Sequence, residues 1–317
     1  MNKEKQLKVI SPLLIVLAAL IWGISFVAQS EGGDIGSFTF QSIKCSLAFL
    51  SVGAVMLITN NTDKAKLNKK KYNGIKDWAK QNKTFLKCGI ICGLTLGIAC
   101  NLQQFGIDMQ GKETSTGRAA FLTALYIVIV PTFGIFFKKK IHLLSWASVL
   151  VAVGGLYLIS VQPGSGLSIS TADLLLILCA VFFGTQIFTV DYYSDRVDGI
   201  KLSCFQSFIA AVMSIICMFI FEKPDINAIL GQAVPLIYAG VFSGGAAFTL
   251  QILGQKRCNP VLASLLMSLE SVFSALADWI IRGNTMSTRE LMGCVVMFVA
   301  IILAQSPDFI KSKKKTN

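Results

Sequence analysis

The sequence predicts an all-α integral membrane protein, with ten transmembrane helices arranged as two inverted five-helix repeats around a central cavity. Three observations lead to this prediction. The 317 residues are 54% apolar and only 15% charged, whereas soluble domains carry about 25% charged residues. Ten apolar windows are each long enough to cross a bilayer. Short motifs of the first half recur in the second half in the same order.

The composition excludes a soluble enzyme, a secreted disulfide scaffold and a disordered chain, because each would need more polar surface. The net charge of +12 could indicate nucleic-acid binding, but the basic residues are confined to the tails and one loop. We therefore expect no nucleic-acid partner. The nine cysteines and the single histidine form no ligand pattern, and no Walker A loop is present. We expect no metal, no cofactor and no direct use of ATP.

The ten windows follow one another with short polar breaks. A helix needs about 20 apolar residues to cross the hydrocarbon core. In chain order, the predicted spans are residues 12–30, 38–59, 85–107, 116–137, 143–161, 171–190, 203–221, 232–254, 260–281 and 287–305. The first window is expected to be a retained span and not a cleaved signal peptide, because nine more spans follow it.

The basic residues predict the orientation, since cytoplasmic loops carry an excess of Lys and Arg. With the N-terminus in the cytoplasm, 22 of the 29 basic residues lie on the cytoplasmic side and five on the outer side. We therefore expect a multi-pass protein of the cell (plasma or inner) membrane with both termini in the cytoplasm.

Three matches relate the two halves of the chain. They are residues 19–23 with 180–184, Gln41 with Gln206, and residues 102–106 with 250–254. Each half has five spans, an odd number, so the second copy enters the membrane upside down, as is typical of transporters. We divide the chain into a first repeat (1–161), a second repeat (171–305) and a basic cytoplasmic tail (306–317).

Only two acidic residues, Glu270 and Asp278, lie well within a span, the ninth. Charged side chains at this depth usually face the bundle interior or a water-filled cavity. At 100° per residue the polar residues of this span occupy one arc, so we expect the opposite, apolar side to face lipid. That apolar side consists of Leu262, Leu265, Leu266, Leu269, Val272, Phe273, Leu276 and Ile280. We assign Glu270 and Asp278 to coupling or gating, with protons as a candidate partner.

Polar residues of the other spans are candidates to line the same cavity and bind a small-molecule substrate. The predicted substrate-binding residues are Trp22, Ser25, Gln29, Gln41, Lys44, Asn101, Gln104, Tyr126, Gln186, Gln251 and Ser274, with Gln103 and Thr123 as further candidates. The alternative is that these groups only hydrogen-bond one helix to another. Lys44 could extend to the outer headgroups, or it could pair with an acid or an anionic substrate group inside the cavity.

Several segments resemble the EamA branch of the drug/metabolite transporter superfamily, over residues 12–305. They are residues 19–29, 104–107, 117–126, 128–131 and 269–273. In that family the ninth span usually reads Leu-Glu-Pro-Val-Phe and is followed by Gly-Glu. Here Ser271 replaces the proline, which removes a possible kink, and Asn284 replaces the second glutamate. The second span usually has Arg where Lys44 stands.

The resemblance implies a secondary transporter of small metabolites, such as amino acids or drug-like compounds, that works as an exporter by alternating access. Two alternatives stay open at this point. An intramembrane transferase could hold Mg²⁺ and a diphosphate at the acidic cluster of Asp191, Asp195 and Asp198. A passive facilitator is the other, although the sequence contains no charged ring or filter motif.

Overall fold

The computed structural model describes residues 3–60, 74–111, 116–138, 141–161 and 169–313, and every regular element within these ranges is helical. Nine helices in them are long and apolar enough to cross a membrane. They are α1 (Val9–Glu31), α2 (Ser37–Thr59), α3 (Lys83–Gln110), α4 (Gly117–Phe136), α5 (Leu143–Ser160), α6 (Thr171–Tyr193), α7 (Gly199–Phe221), α8 (Ala233–Gln255) and α9 (Pro260–Arg282). The tenth predicted crossing lies in α10 (Thr288–Lys313), which packs along α5. The predicted all-α, multi-span fold is confirmed.

The helices pack as two equivalent halves. Helix α1 packs against α8 and α9, as α6 packs against α3 and α4. Helix α2 contacts α8, and its equivalent α7 contacts α3 in the same way. Helix α2 also packs against its own equivalent α7, and α5 packs against its own equivalent α10. Each contact therefore recurs when the first five helices are exchanged with the last five. Because five crossings make up each half, the two copies enter the membrane from opposite sides.

Glycines mark the same close approaches in both halves. A Cβ on Gly23 of α1 would overlap Phe273 of α9, and a Cβ on Gly184 of α6 would lie 2.7 Å from Ile129 of α4. Gly23 and Gly184 are 161 residues apart, and Ile129 and Phe273 are 144 apart. Small residues let helices approach closely in a membrane, so the two halves use the same device at equivalent crossings.

Helix α8 departs from this equivalence through a π-helix, Tyr238–Ala247. The spacing between the halves is 147 residues at Gly97 and Gly244, and 148 residues at Gly106 and Gly254. The contacts that establish these matches are Gly97 with Met213, Gly244 with Ala48, Gly106 with Leu176, and Gly254 with Ile15. Helix α8 thus contains one extra residue, which the wider π-helical turns absorb without ending the helix.

Helices α4 and α9 each contain one short tight turn, called a break below, at equivalent positions, and the backbone stays helical through it. Helix α4 consists of Thr116–Ala124 and Tyr126–Phe136, and α9 consists of Pro260–Met267 and Glu270–Arg282. The linking residue Leu125 has φ −59° and ψ −9°, and Leu269, 144 residues later, has φ −58° and ψ −14°. Neither break contains a proline. Ser271 lies within the regular second part of α9, and the loss of a proline kink at that residue stays a prediction.

Helix α9 is buried on nearly all sides. Leu265, Leu266, Leu269 and Val272 belong to the core, and of the predicted apolar wall only Ile280 is well exposed, at 78%. The prediction of a lipid-facing wall is wrong because α1, α4, α5 and α10 all pack around this helix. A polar arc on a central helix therefore does not imply that the opposite arc faces lipid.

Candidate functional site

A pocket lies inside the bundle between α1, α2, α3, α4, α6, α8 and α9. Eight of the thirteen predicted site residues line it. They are Trp22, Ser25, Gln29, Lys44, Tyr126, Gln186, Gln251 and Glu270, and the further candidates Gln103 and Thr123 join them. The breaks of α4 and α9 lie beside this space, since Tyr126 and Glu270 directly follow them. Broken helices at mid-membrane are where inverted-repeat transporters place their binding sites.

Tyr126 and Glu270 occupy equivalent positions in the two repeats and contact each other across the cavity. The Tyr126 hydroxyl donates a hydrogen bond to Glu270 Oε1 at 2.9 Å. Glu270 is only 5% exposed and is the first residue of the second part of α9. This bond joins the two broken helices at their breaks.

Lys44 of α2 points into the cavity and is 3% exposed. Its ammonium donates a hydrogen bond to Gln29 Oε1 at 3.3 Å, and Gln29 Nε2 donates to the Ser25 carbonyl, also at 3.3 Å. The alternative that Lys44 extends to the headgroups is therefore wrong. Lys44 brings a positive charge into the middle of the bundle.

A chain of amides forms the wall contributed by the second repeat. Gln251 Nε2 donates to Gln186 Oε1 at 3.0 Å and to Gln255 Oε1 at 3.0 Å, and Gln186 Nε2 donates to Gln206 Oε1 at 3.1 Å. These bonds fix the Gln251 amide, whose own Oε1 accepts no hydrogen bond in the described structure.

The apolar walls were missed by sequence reasoning. They consist of Phe26, Cys100, Phe183, Ile187, Phe248 and Met267, and Ser243 of the π-helix was missed as well. The Trp22 and Phe248 rings lie 5.0 Å apart, and the Trp22 N–H donates to the Ser243 carbonyl at 3.3 Å. One signal was available: Phe183 and Phe248 each precede a predicted glutamine by three residues, so each shares its helix face.

Three predicted residues form bonds between helices and do not line the cavity. Gln41 Nε2 donates to Gln104 Oε1, and Gln104 Nε2 donates to the Gln29 carbonyl and to Asp108. Asn101 donates to the Gly97 carbonyl and to Ser214 of α7. The rotation of their helices directs Gln41, Asn101 and Gln104 into the interfaces in this structure, and a role of these residues in substrate binding stays a prediction.

Ser274 and Asp278 of α9 also lie away from the cavity. Ser274 is buried where α9 crosses Gly23 of α1. Asp278 Oδ1 pairs with Arg282 at 3.5 Å. Arg282 in turn reaches α1, donating to Ser30 at 2.5 Å and Glu31 at 2.6 Å. Asp278 is thus part of a polar clasp between the ends of α1 and α9.

A second clasp joins α4 and α6 at residues that the orientation prediction places on the same side of the membrane. Arg118 donates to Asp173 from Nε at 2.9 Å and from Nη2 at 2.6 Å. Asp173 also accepts from Gln110 of α3 at 3.3 Å and from Ser170. A buried carboxylate therefore ties three helices together at this end of the bundle.

One member of the acidic cluster of the transferase alternative serves as a helix cap. Asp198 caps α7, accepting from the Lys201 N–H at 3.0 Å. Among the residues that the structure describes, no group of three or more His, Cys, Asp and Glu side chains could hold a metal ion.

Comparisons with known proteins agree with this architecture. The model of the EamA-like transporter family matches residues 9–161 and 170–305. A protein of Archaeoglobus fulgidus described as an uncharacterized transporter is 24% identical over 292 residues, which cover 91% of this chain and 83% of that protein. A solved crystal structure has a similar fold, with a TM-score of 0.70 at 17% identity over 93% of this chain and 98% of its own. The chain therefore belongs to the EamA-like transporter family and is a multi-pass membrane transporter.

Proposed function

We propose that the protein is a secondary carrier that exports small metabolites, such as amino acids or drug-like compounds, by alternating access. The observation that best supports this proposal is the bond between Tyr126 and Glu270. It links the breaks of two equivalent helices, one from each repeat, at the wall of a buried cavity. Two equivalent halves can exchange conformations, and this exchange opens a central site to alternate sides.

The breaks at Leu125 and Leu269 are suited to act as hinges. At each break the chain makes a tight turn, with the N–H of Leu125 bonded to the Leu122 carbonyl and the N–H of Leu269 to the Leu266 carbonyl, both at 3.3 Å. Bending there moves one part of a helix without unpacking the other. Substrate binding at Glu270 would compete with Tyr126 for the carboxylate and so release the link between the hinges.

We propose that the two clasps close one end of the bundle in this conformation. Arg282 joins α9 to α1, and Arg118 joins α4 to α6, so each clasp spans a broken helix and its neighbour. The excess of basic residues in the opposite loops supports an outer position for this end, with both termini in the cytoplasm. Opening outward then requires that both clasps break, which gives Asp278 a gating role.

Counterflow into proteoliposomes tests the carrier proposal. Substrates are first found by the rise in melting temperature that any ligand of the folded protein causes. If the protein is a carrier, proteoliposomes preloaded with unlabelled substrate take up the labelled compound faster than empty ones. An open pore shows no such stimulation. We expect Tyr126→Phe to slow counterflow at least tenfold, and Tyr157→Phe, a matched change on the half-exposed face of α5, to leave it unchanged. Uptake without trans-stimulation would refute alternating access.

Coupling of substrate flux to protons at Glu270 is a separate part of the proposal. A carboxylate that binds both substrate and proton would make flux respond to an imposed pH gradient, and Glu270→Gln would remove that response. Flux that ignores the gradient in the wild type would refute coupling and leave the carrier proposal intact.

A further inference from the structure

We infer that the π-helix of α8 (Tyr238–Ala247) is a register switch that decides which residues of this helix face the cavity. In this structure Phe248 and Gln251 line the cavity. If the π-helical turns move toward the C-terminus of α8, Ala247 and Leu250 take their places. The inference rests on the proposed function, because this change of register is a step by which the second repeat changes conformation.

The extra residue of α8 lies after Gly244. Gly93 of α3 contacts α7, and Gly240 of α8 makes the equivalent contact with α2, 147 residues later. The spacing between the halves is still 147 residues at Gly244, but it is 148 residues at Gly254. Because the π-helix ends between these two glycines, its last turns hold the extra residue. No other helix in the described ranges contains a π-helical segment, and such segments are frequent at functional sites.

The position of the π-helical turns sets the register of the residues that follow them. At the spacing of 148 residues, Gln251 is the counterpart of Gln103, and both line the cavity. If the turns lie beyond Gln251, the spacing of 147 residues extends to this point, and Leu250 becomes the counterpart of Gln103. The shift by one residue turns this stretch of α8 by about 100° and moves it by about 1.5 Å along the helix axis.

The first repeat shows that the second register also suits Gln251. In that register Gln251 is the counterpart of Gln104, whose amide bonds to the Gln29 carbonyl of α1 and to Gln41 of α2. Helix α3 thus fills two places with two glutamines, one at the cavity and one between helices. The single glutamine of α8 takes one place in each register.

The two registers give the cavity different walls. In this structure the Gln251 amide is bonded to Gln186, and the Phe248 ring lies 5.0 Å from the Trp22 ring. The second register replaces this amide by a leucine side chain and this ring by a methyl group, so the wall becomes less polar and the cavity wider. A ligand stabilises the state that it binds more tightly. An occupant that contacts Gln251 and Phe248 therefore stabilises the present register, and the second register favours its release.

Two hydrogen bonds hold the π-helix against α1. The Trp22 N–H donates to the Ser243 carbonyl at 3.3 Å, and the Tyr238 hydroxyl donates to the Ile21 carbonyl at 3.1 Å. The counterparts of Trp22 and Tyr238 in the other repeat are Phe183 and Ile91. Neither of these side chains has a donor, and α3 is an α-helix throughout. The bonds to α1 thus accompany the π-helix and stabilise it in its present position.

Glycines both permit the movement and limit it. Three of the ten residues of the π-helix are glycine, which is a poor α-helix former, so a regular helix has little advantage there. Farther along α8, a Cβ on Gly254 would lie 2.8 Å from the Ser11 carbonyl oxygen of α1. If the turns passed Gly254, Leu253 would take its place, and the leucine side chain would not fit. The turns therefore come to rest between Gln251 and Gly254.

Bridging of cysteine pairs in the full-length protein in proteoliposomes tests the switch. Each variant combines Gln186→Cys with one cysteine on α8. The reagent is dibromobimane, a short bifunctional compound that fluoresces when it joins two thiols, and mass spectrometry of the peptides distinguishes the bridged pair from the native cysteines. Gln251→Cys reports the present register, because the Gln251 and Gln186 amides are bonded at 3.0 Å. Leu250→Cys reports the second register, and Ile252→Cys, which lies against Gly199 of α7, is the matched control.

We expect the pair with Gln251→Cys to bridge fastest. The pair with Leu250→Cys should bridge more slowly, yet at least tenfold faster than the pair with Ile252→Cys. Deletion of Ala246, a half-buried residue after Gly244, removes the extra residue and leaves α8 in one register. The deletion should keep the bridging at Gln251→Cys and abolish it at Leu250→Cys.

A second variant weakens the present register without shortening the helix. Trp22→Phe keeps an aromatic ring and removes the hydrogen bond to the Ser243 carbonyl. Loss of one such bond should speed bridging at Leu250→Cys about fivefold. This variant serves as the test if the deletion variant does not fold.

Three results would overturn the inference: bridging at Leu250→Cys is no faster than at Ile252→Cys, it survives deletion of Ala246, or Trp22→Phe leaves it unchanged. These outcomes are separable from the carrier proposal, because bridging needs no substrate. Bridging in both registers without counterflow would end the carrier proposal alone. Counterflow in a protein that never bridges at Leu250→Cys would end the register switch alone.

Discussion

Removing Arg118 should lower the stability of the protein more than removing Asp173, although both changes break the same ion pair. The Asp173 side chain is 3% exposed and the Arg118 side chain is 28% exposed. Replacing Arg118 by methionine leaves a carboxylate buried with only the bonds from Ser170 and Gln110. Replacing Asp173 by asparagine leaves a cation that can turn toward solvent. The two single variants remove the same ion pair and leave opposite charges behind.

The burial of each partner sets the expected size of the effect. A buried ion pair that loses one member typically costs 3–5 kcal/mol, because the remaining charge has no partner. Since Ser170 and Gln110 still donate to Asp173, we expect about 3 kcal/mol for Arg118→Met. For Asp173→Asn we expect about 1 kcal/mol, the value of a hydrogen bond whose partner keeps access to water. The double variant should be more stable than Arg118→Met alone, because no buried charge remains.

Thermal unfolding in detergent measures these differences. Seven of the nine free cysteines are buried, so a thiol-reactive fluorophore reports unfolding directly. At about 2 °C per kcal/mol for a chain of this size, Arg118→Met should melt about 6 °C below the wild type and Asp173→Asn about 2 °C below. Equal losses for the two single variants, or a double variant that loses their sum, would refute the reasoning from burial.

Two further predictions concern packing and gating. Gly155→Ala would place its Cβ 3.0 Å from the α10 backbone and should cost about 1–3 kcal/mol, whereas Gly154→Ala has nothing within 4 Å and should gain about 0.5 kcal/mol in helix propensity. Equal melting points of the two variants would contradict the packing of α5 on α10. Arg282→Gln should open the clasp of α1 and α9. In a protein that keeps Cys100 as its one cysteine, a membrane-impermeant maleimide should then label this cavity residue several-fold faster. Arg289→Gln is the control, and equal labelling in both variants would show that the Arg282 clasp does not close the cavity.

Equivalent residues in the two halves show what the sequence could predict. The repeat of residues 19–23 as 180–184 indicated one packing unit used twice, and the structure places Gly23 and Gly184 at equivalent crossings. The equivalence of Tyr126 and Glu270 was not visible from the sequence, because a phenol and a carboxylate share no chemistry. Only the matching breaks of α4 and α9 place them at one position of the repeat.

Neighbouring glutamines show where the prediction failed. Gln103 and Gln104 differ by 100° around α3, and Gln103 lines the cavity while Gln104 bonds to α1 and α2. The sequence favoured Gln104, because an amide in an apolar span has the same composition signal in either place. The rotation of α3 against its neighbours decides between them, and that rotation depends on contacts with distant parts of the chain.

The sequence by itself determined that the protein folds in a bilayer, that it crosses the bilayer many times and that it buries charges, because each follows from the cost of placing polar groups in hydrocarbon. The tertiary structure alone decided which faces are buried against protein and which border the cavity. Leu269 and Phe248 are as apolar as any lipid-facing residue, yet one lies at a helix break and the other lines the cavity. Apolar side chains are equally suited to lipid, core and cavity wall, so only packing distinguishes the three.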